Sequence, residues 1–201
     1  MRHVHWPSTA RHGSVMVREF EEERTRRLAI LVDASRDAGE VWTPLDRCCS
    51  AAASLALAAS AEGHGVRLAA GREHGPEVVG RADEAELLRW LALLEPAAEP
   101  YAGVVEALAP DLRGAQTIAL VFPGWRDNDA EAMAAAVEAV GVYADRVVCL
   151  PVAAEGPDAL PDGLFEAMVG AVRDAGAETY PWRRGVELVS ALGAAAGGSR
   201  T

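Results

Sequence analysis

The chain has no lysine; all 19 of its basic residues are arginine. That absence removes whole classes of chemistry. A P-loop ATPase needs its phosphate-binding lysine, a Schiff-base enzyme its amine and a protein kinase its strand lysine, and none of these can be built here. Coding bias toward alanine, arginine and glycine accounts for the arginine excess. Cysteine is scarce too. Cys48, Cys49 and Cys149 make an odd count of 3, with neither a disulfide framework nor a zinc-ligand spacing. Reduced thiols that pack a core in a cytosolic setting are therefore expected. The longest apolar stretch, residues 48–61, is mostly Ala and Ser. It is too short and too weakly apolar to span a bilayer, so no membrane insertion by this chain is expected.

Catalytic signatures are also missing. There is no Gly-x-Ser-x-Gly elbow. Gly63-His-Gly65 precedes an apolar run instead of following one, which rules it out as a dinucleotide fingerprint. Asp33-Ala-Ser35 lacks the second Asp that a phospho-aspartyl enzyme of the haloacid dehalogenase type carries two residues after its nucleophile.

What is present is a globular, acidic chain. Its 201 residues, half of them hydrophobic, suffice for one full-sized core. The net charge of −11 argues against nucleic acid or an anionic membrane as a partner. That charge is uneven: residues 1–30 hold six Arg against four Glu, while the remainder holds 13 Arg against 26 acids.

Residues 28–35 read Leu-Ala-Ile-Leu-Val-Asp-Ala-Ser. Five uninterrupted apolar residues suit a strand covered on both faces of a parallel sheet. The run ends abruptly in Asp33, Ser35 and Asp37, at the place where open α/β sheets bind ligands, just beyond the carboxyl ends of central strands. Before it, residues 14–20 alternate as a strand does. After it, Pro44 suits the first turn of a helix over 45–62 that is apolar nearly all round and ends at Gly63 and Gly65. Residues 66–70 read as a strand and 77–79 as a short strand returning in a hairpin. Asp83 with Glu86 has the spacing of a capping box, and Leu87, Leu88, Leu91 and Leu94 follow at helical spacing. Tyr101, Val104, Val105 and Leu108 stripe a second short helix. Strands are expected at 117–122, 146–150 and 177–181. Asn128 and Glu131 would cap a helix packing Met133, Val137 and Val140. Leu164, Phe165, Met168, Val169 and Val172 stripe another helix, and residues 186–192 close the chain with one more. Alternating strands and helices predict an α/β fold: a doubly wound, mostly parallel sheet with helices on both faces, Rossmann-like in outline.

Certain residue blocks point further. Arg2-His-Val-His-Trp6, Ala10-Arg11-His-Gly13 and Met16-Val-Arg-Glu19, followed by a hydrophobic strand ending in Asp33-Ala-Ser35, together resemble the family called domain of unknown function 58. Ala52-Ala-Ser-Leu-Ala56, followed by Gly65-Val66 and a strand, is similar to the same family. The likeness is strong over roughly the first 70 residues and continues in the order of elements. It implies a von Willebrand factor type A-like fold, with a short antiparallel edge strand where the hairpin near His74 is expected. It also implies a C-terminal part of a larger protein, or a shortened relative of one. The parent would be membrane-anchored through a preceding region, with this domain in the cytoplasm. The implied partner is a protein, specifically a MoxR-type AAA+ ATPase acting in complex assembly or maturation. On this reading residues 1–27 are a basic segment with one strand, a remnant of the preceding region. Residues 28–192 are the type A-like domain, and 193–201 a disordered tail.

In type A domains a divalent cation sits at the strand end on Asp-x-Ser-x-Ser, with a Thr and an Asp from later loops. The resemblance therefore implies a degenerate adhesion site for Mg²⁺ or Mn²⁺ at Asp33, Ser35, Asp37 and Asp127, with Asp129 as an alternative to Asp127. Asp37 stands where a Ser is usual, Arg36 lies beside it, and no matching Thr is found. The structural alternative has Asp33 and Ser35 holding the loop by hydrogen bonds and Asp127 or Asp129 capping a helix. Trp42 and Trp125 follow strand-end loops and, with Arg36, are candidate partner contacts, since Trp is enriched at binding hot spots. The plainer reading of both, and of Trp6, is that they cover core edges. His3, His5 and His12 suit surface or packing roles better than a metal pair. The expected function is non-enzymatic protein interaction. The alternatives are a small-molecule or nucleotide-binding Rossmann-like enzyme, and a purely structural fragment.

Overall fold

A computed structural model describes residues 3–4, 17–18, 27–35, 43–97, 99–125, 128–155, 159–183, 185–188 and 190. Two short strands, β1 (His3–Val4) and β2 (Val17–Arg18), pair antiparallel with each other and belong to no larger sheet. The main sheet has six strands: β3 (Arg27–Val32), β4 (Gly65–Ala70), β5 (Glu73–Val78), β6 (Thr117–Pro123), β7 (Arg146–Val152) and β8 (Glu178–Thr179). Their spatial order is β5-β4-β3-β6-β7-β8, all parallel except β5, which returns antiparallel on the edge. β3 pairs with both β4 and β6, so the chain reverses its direction of winding beside it.

Strand alternation decides what covers each face. Ile30 and Val32 point to one side, where they meet α1 (Pro44–Ala61) and α2 (Glu84–Ala92). Ala29 and Leu31 point to the other, under α3 (Tyr101–Leu108), α4 (Ala130–Gly141) and α5 (Asp162–Asp174). The doubly wound α/β arrangement expected from the sequence is the one found. α1 starts as predicted, with Pro44 in its first turn. Thr43 and Asp46 form a reciprocal capping box: the Asp46 N–H donates to Thr43 Oγ1 at 3.2 Å and the Thr43 N–H to Asp46 Oδ2 at 2.8 Å. Small buried residues, Ala51, Ala52, Ala56 and Ala59 with Cys48, form its inner face against the sheet.

Several boundaries differ from expectation for physical reasons. β5 begins at Glu73, so the hairpin turn is only Gly71 and Arg72; Pro76 fits within it because an edge strand tolerates a missing N–H. Gly63, at φ 81°, ends α1, whereas Gly65 is already the first residue of β4. Asp83 does not cap α2. Its carboxylate accepts from the Val79 N–H at 3.0 Å instead, and residues Arg81–Asp83 form a 3-10 turn leading into the helix. Leu88 and Leu164 lie on the predicted apolar stripes but are 43% and 57% exposed. β8 is two residues long, although the Tyr180 and Trp182 N–H groups still donate to the carbonyls of Cys149 and Pro151 in β7. Most of the strand expected over 14–20 and all of the tail from 193 lie outside the described residues; of the helix expected over 186–192, residues 188 and 190 are helical, 186 and 187 are not, and 189, 191 and 192 lie outside the described residues. Among the described residues no helix is long and apolar enough to cross a membrane.

One glycine is required by close packing. Gly124 follows β6, donates to the Val152 carbonyl at 2.8 Å and accepts from the Leu160 N–H at 2.8 Å. A Cβ here would lie 2.6 Å from a ring carbon of Phe165 in α5. Gly124→Ala is expected to cost about 1–3 kcal/mol by overpacking, a fall in thermal midpoint of roughly 3–10 °C. Adding Phe165→Leu should recover part of that loss, so that the double variant is more stable than the two single effects sum to. Additive effects in thermal unfolding would show that the contact is not the cause.

Candidate functional site

The carboxyl ends of β3 and β6 lie side by side where the winding reverses, the position at which open α/β sheets place their ligands. Asp33 is the first residue past β3. Its N–H continues the ladder by donating to the Val121 carbonyl at 2.8 Å, and its side chain is only 2% exposed. Each carboxylate oxygen has a donor. Oδ1 accepts from the Ser35 N–H at 2.8 Å, and Oδ2 accepts from the Asn128 side-chain amide at 2.9 Å. The same amide nitrogen donates to the Pro123 carbonyl at 2.9 Å, and the Asn128 N–H donates to the Trp125 carbonyl at 3.1 Å. Burial raises the Asp33 pKa above the usual carboxylate value, and the hydrogen bonds from Asn128 and Ser35 oppose that rise.

Other titratable groups surround this carboxylate. Tyr101 reaches across from α3 and donates its hydroxyl to the Leu31 carbonyl at 2.7 Å; burial, then the Asp33 charge, push its pKa well up. Cys48 in α1 is raised well up in the same way. Cys149 is raised by burial, and Cys49, half-buried, is pushed up to about 11. All three cysteines are free and held as thiols, the opposite of the depressed pKa that makes a nucleophile.

The connections above the sheet are tied to one another. The Ala97 N–H donates to the Ala34 carbonyl, joining the α2–α3 connection to the loop after β3. Arg72 in the hairpin turn makes a two-pronged pair with Glu99 at 2.7 and 2.6 Å. On the other flank the Arg47 guanidinium lies over the Trp182 ring, 4.4 Å from its centroid, and donates to the Ala153 carbonyl at 2.8 Å.

Of the residues singled out from sequence, Asp33 and Ser35 meet through the backbone of Ser35, as the loop-holding alternative requires. Asp129 sits at the N-terminus of α4 and makes no capping bond with its side chain, while Asp127, the other residue offered for that cap, is among those outside the described residues. Arg36, Asp37, Trp42 and Asp127 lie outside the described residues. Trp125 is a correction. It is 2% exposed and packed with Ala154 and Ala159, so it is no surface contact here, and its indole N–H has no hydrogen-bond partner among the described residues. Among the described residues no group of three or more His, Cys, Asp or Glu is placed to hold a metal ion.

Sequence reasoning missed Asn128, which was assigned to a helix cap. One signal was available: it is the only asparagine in the chain, and it follows a buried strand. The Tyr101 hydroxyl and the Arg47–Trp182 pair had no comparable signal, because their partners are distant in sequence.

The raised Asp33 pKa has a definite consequence for stability. The folded state holds this proton more tightly than the unfolded chain. The stability that the protonated carboxyl contributes is therefore lost as pH rises from the ordinary value of 3.8 through the raised folded one, and does not change further above it. A ¹³C titration of the Asp33 carboxyl should give a midpoint above 3.8; a midpoint below it would mean that the hydrogen bonds outweigh burial.

A family model described as Protein of unknown function DUF58 matches residues 1–178. No curated protein matches the chain.

Proposed function

The chain belongs to the DUF58 family, and from that membership we propose that it is a non-enzymatic, von Willebrand factor type A-like interaction domain whose strand-end surface docks a protein. The observation that carries this reading is the cross-tying of the connections over the switch point. Asn128 holds Asp33, Ala97 holds Ala34, and Arg72 pairs with Glu99. Residues tied in this way lose little freedom when a partner arrives, and reduced ordering cost favours binding. Strand order with a single antiparallel edge strand supports the type A likeness. Protonated thiols and a carboxylate with both oxygens engaged favour docking over a small-molecule or nucleotide enzyme at the same edge.

The proposed partner is a MoxR-type AAA+ ATPase engaged in complex assembly. The acidic body, 13 Arg against 26 acids outside residues 1–30, would draw in a partner through a basic face. The proposed setting is the cytoplasmic side of a membrane to which a larger parent protein is anchored. Arg36 and Trp42, which follow Asp33 in the sequence, are the proposed contacts.

Binding of the purified chain to a purified MoxR-type ATPase, in ATP and in ADP, tests this. Arg36→Glu combined with Trp42→Ala should weaken binding at least tenfold, as expected for hot-spot residues, and leave the thermal midpoint unchanged. Undiminished binding by that variant would remove the surface from consideration. Turnover in a phosphatase, esterase and nucleotidase screen would replace docking with catalysis.

A further inference from the structure

The type A likeness implies a divalent cation beside Asp33 and Ser35, and the donors found there can be tested against that role. Mg²⁺ demands oxygens at about 2.0–2.1 Å in an octahedron, several of them supplied by carboxylate or water. The loop after β6 is where the likeness places a later oxygen ligand. Among the described residues of that loop, the side chain that meets Asp33 is Asn128, and it presents nitrogen. Its orientation is dictated by chemistry: the amide faces two acceptors, Asp33 Oδ2 and the Pro123 carbonyl, each 2.9 Å from Nδ2. Turning the amide over would set its oxygen against both. A carboxamide nitrogen offers a cation no lone pair, and its two hydrogens are already given to oxygens. The second Asp33 oxygen is engaged by the Ser35 N–H at 2.8 Å. Asn128 thus occupies with a donor the side of Asp33 where a cation would need an acceptor, and among the described residues no group of three or more His, Cys, Asp or Glu gathers there.

We infer that Asn128 takes the place of the metal: its amide, held between the Asp33 carboxylate and the Pro123 carbonyl, is a built-in latch that joins the loops after β3 and β6 without any cation. The positive end of the amide dipole meets the carboxylate that a cation would otherwise neutralise. The acceptor on Pro123 fixes the donor in place, and Asn128 is itself held by its N–H to the Trp125 carbonyl. The switch-point surface is thereby assembled when the chain folds and is independent of divalent ions. The inference deepens the docking reading and takes from it only the purpose of the latch.

The test needs no partner. Thermal unfolding of the purified chain is followed in EDTA and in excess Mg²⁺ or Mn²⁺, with free Mn²⁺ read in parallel from its electron paramagnetic resonance signal. The wild-type midpoint should be the same in all conditions, and the Mn²⁺ signal should match that of a protein-free solution. Asn128→Ala should lower the midpoint by roughly 4–8 °C, from the loss of hydrogen bonds to a buried charged group, equally in EDTA and in Mn²⁺. A wild-type rise of roughly 5–10 °C with either ion, the effect of a resident cation at about 100 times its Kd, abolished by Asp33→Ala, would overturn the latch. So would an Asn128→Ala variant as stable as wild type. If Asn128→Ala does not fold, the wild-type Mn²⁺ measurement still decides. Metal-dependent stability would leave the docking surface standing, and a failure of Arg36→Glu with Trp42→Ala to weaken binding would leave the latch standing.

Discussion

A carboxylate buried at the end of the central strand is the constraint on which the rest of this structure turns. Removing an ionised carboxyl from water costs several kcal/mol unless its oxygens are given hydrogen bonds. The fold supplies them from two directions. Ser35, two residues on, turns the chain back so that its own N–H reaches Oδ1, and Asn128 comes from a different loop to reach Oδ2. The first bond shapes a loop locally. The second joins segments 95 residues apart, and it is only available because β3 and β6 run parallel in register, with Val32 beside Val121. The polar requirement of one side chain therefore fixes how two strand-end loops sit.

Packing makes that register possible. β3 is covered on both faces, and its alternation divides the protein into two cores, one under α1 and α2 and one under α3, α4 and α5. The Ala-rich inner side of α1 keeps small side chains between helix and sheet. On the opposite face Tyr101 fills volume with its ring and uses its hydroxyl to reach the Leu31 carbonyl, two residues before Asp33. A Phe there would pack as well but leave the carbonyl without that donor. The same economy holds at Gly124, where the absence of a side chain lets Phe165 close over the end of β6.

What could be read from the sequence follows from how local the governing physics is. Residues 28–32 declare a doubly covered strand by composition alone, and Pro44 marks a helix start because its fixed φ and missing N–H cost nothing in a first turn. Tyr101, Val104, Val105 and Leu108 are all buried as their spacing requires. The failures occur where tertiary contacts compete with local preference. Asp83 has the spacing of a cap, yet the Val79 N–H at the end of the edge hairpin is the better donor for it. Pro76 and Gly75 suggest a turn, but Gly75 is where the Trp90 ring lies against the strand, with ring carbons 3.0–3.1 Å from a would-be Cβ, so glycine there serves packing. Trp125, which its position after a strand offered as a partner contact or as a core-edge cover, is the second, with Ala154 and Ala159 packed against it. The candidate site was legible as a place and only half legible as chemistry. Asp33 and Ser35 speak for themselves, whereas the meaning of Asn128 depends on a partner that only the folded sheet brings near.

A tethered amide and a bound cation solve the same electrostatic problem with different consequences. A cation stabilises its site in proportion to the logarithm of its concentration, so the surface it organises follows the ionic conditions. It also keeps coordination positions open, through which a partner's carboxylate can bind directly. Asn128 has neither property. It cannot dissociate, its ordering cost is met during folding, and both its hydrogens are spent on Asp33 and Pro123. A docking partner of the kind proposed would therefore gain nothing from the buried carboxylate itself. On the proposed docking reading, the sequence motif that marks the site is thus the support of a recognition surface and not itself the point of contact.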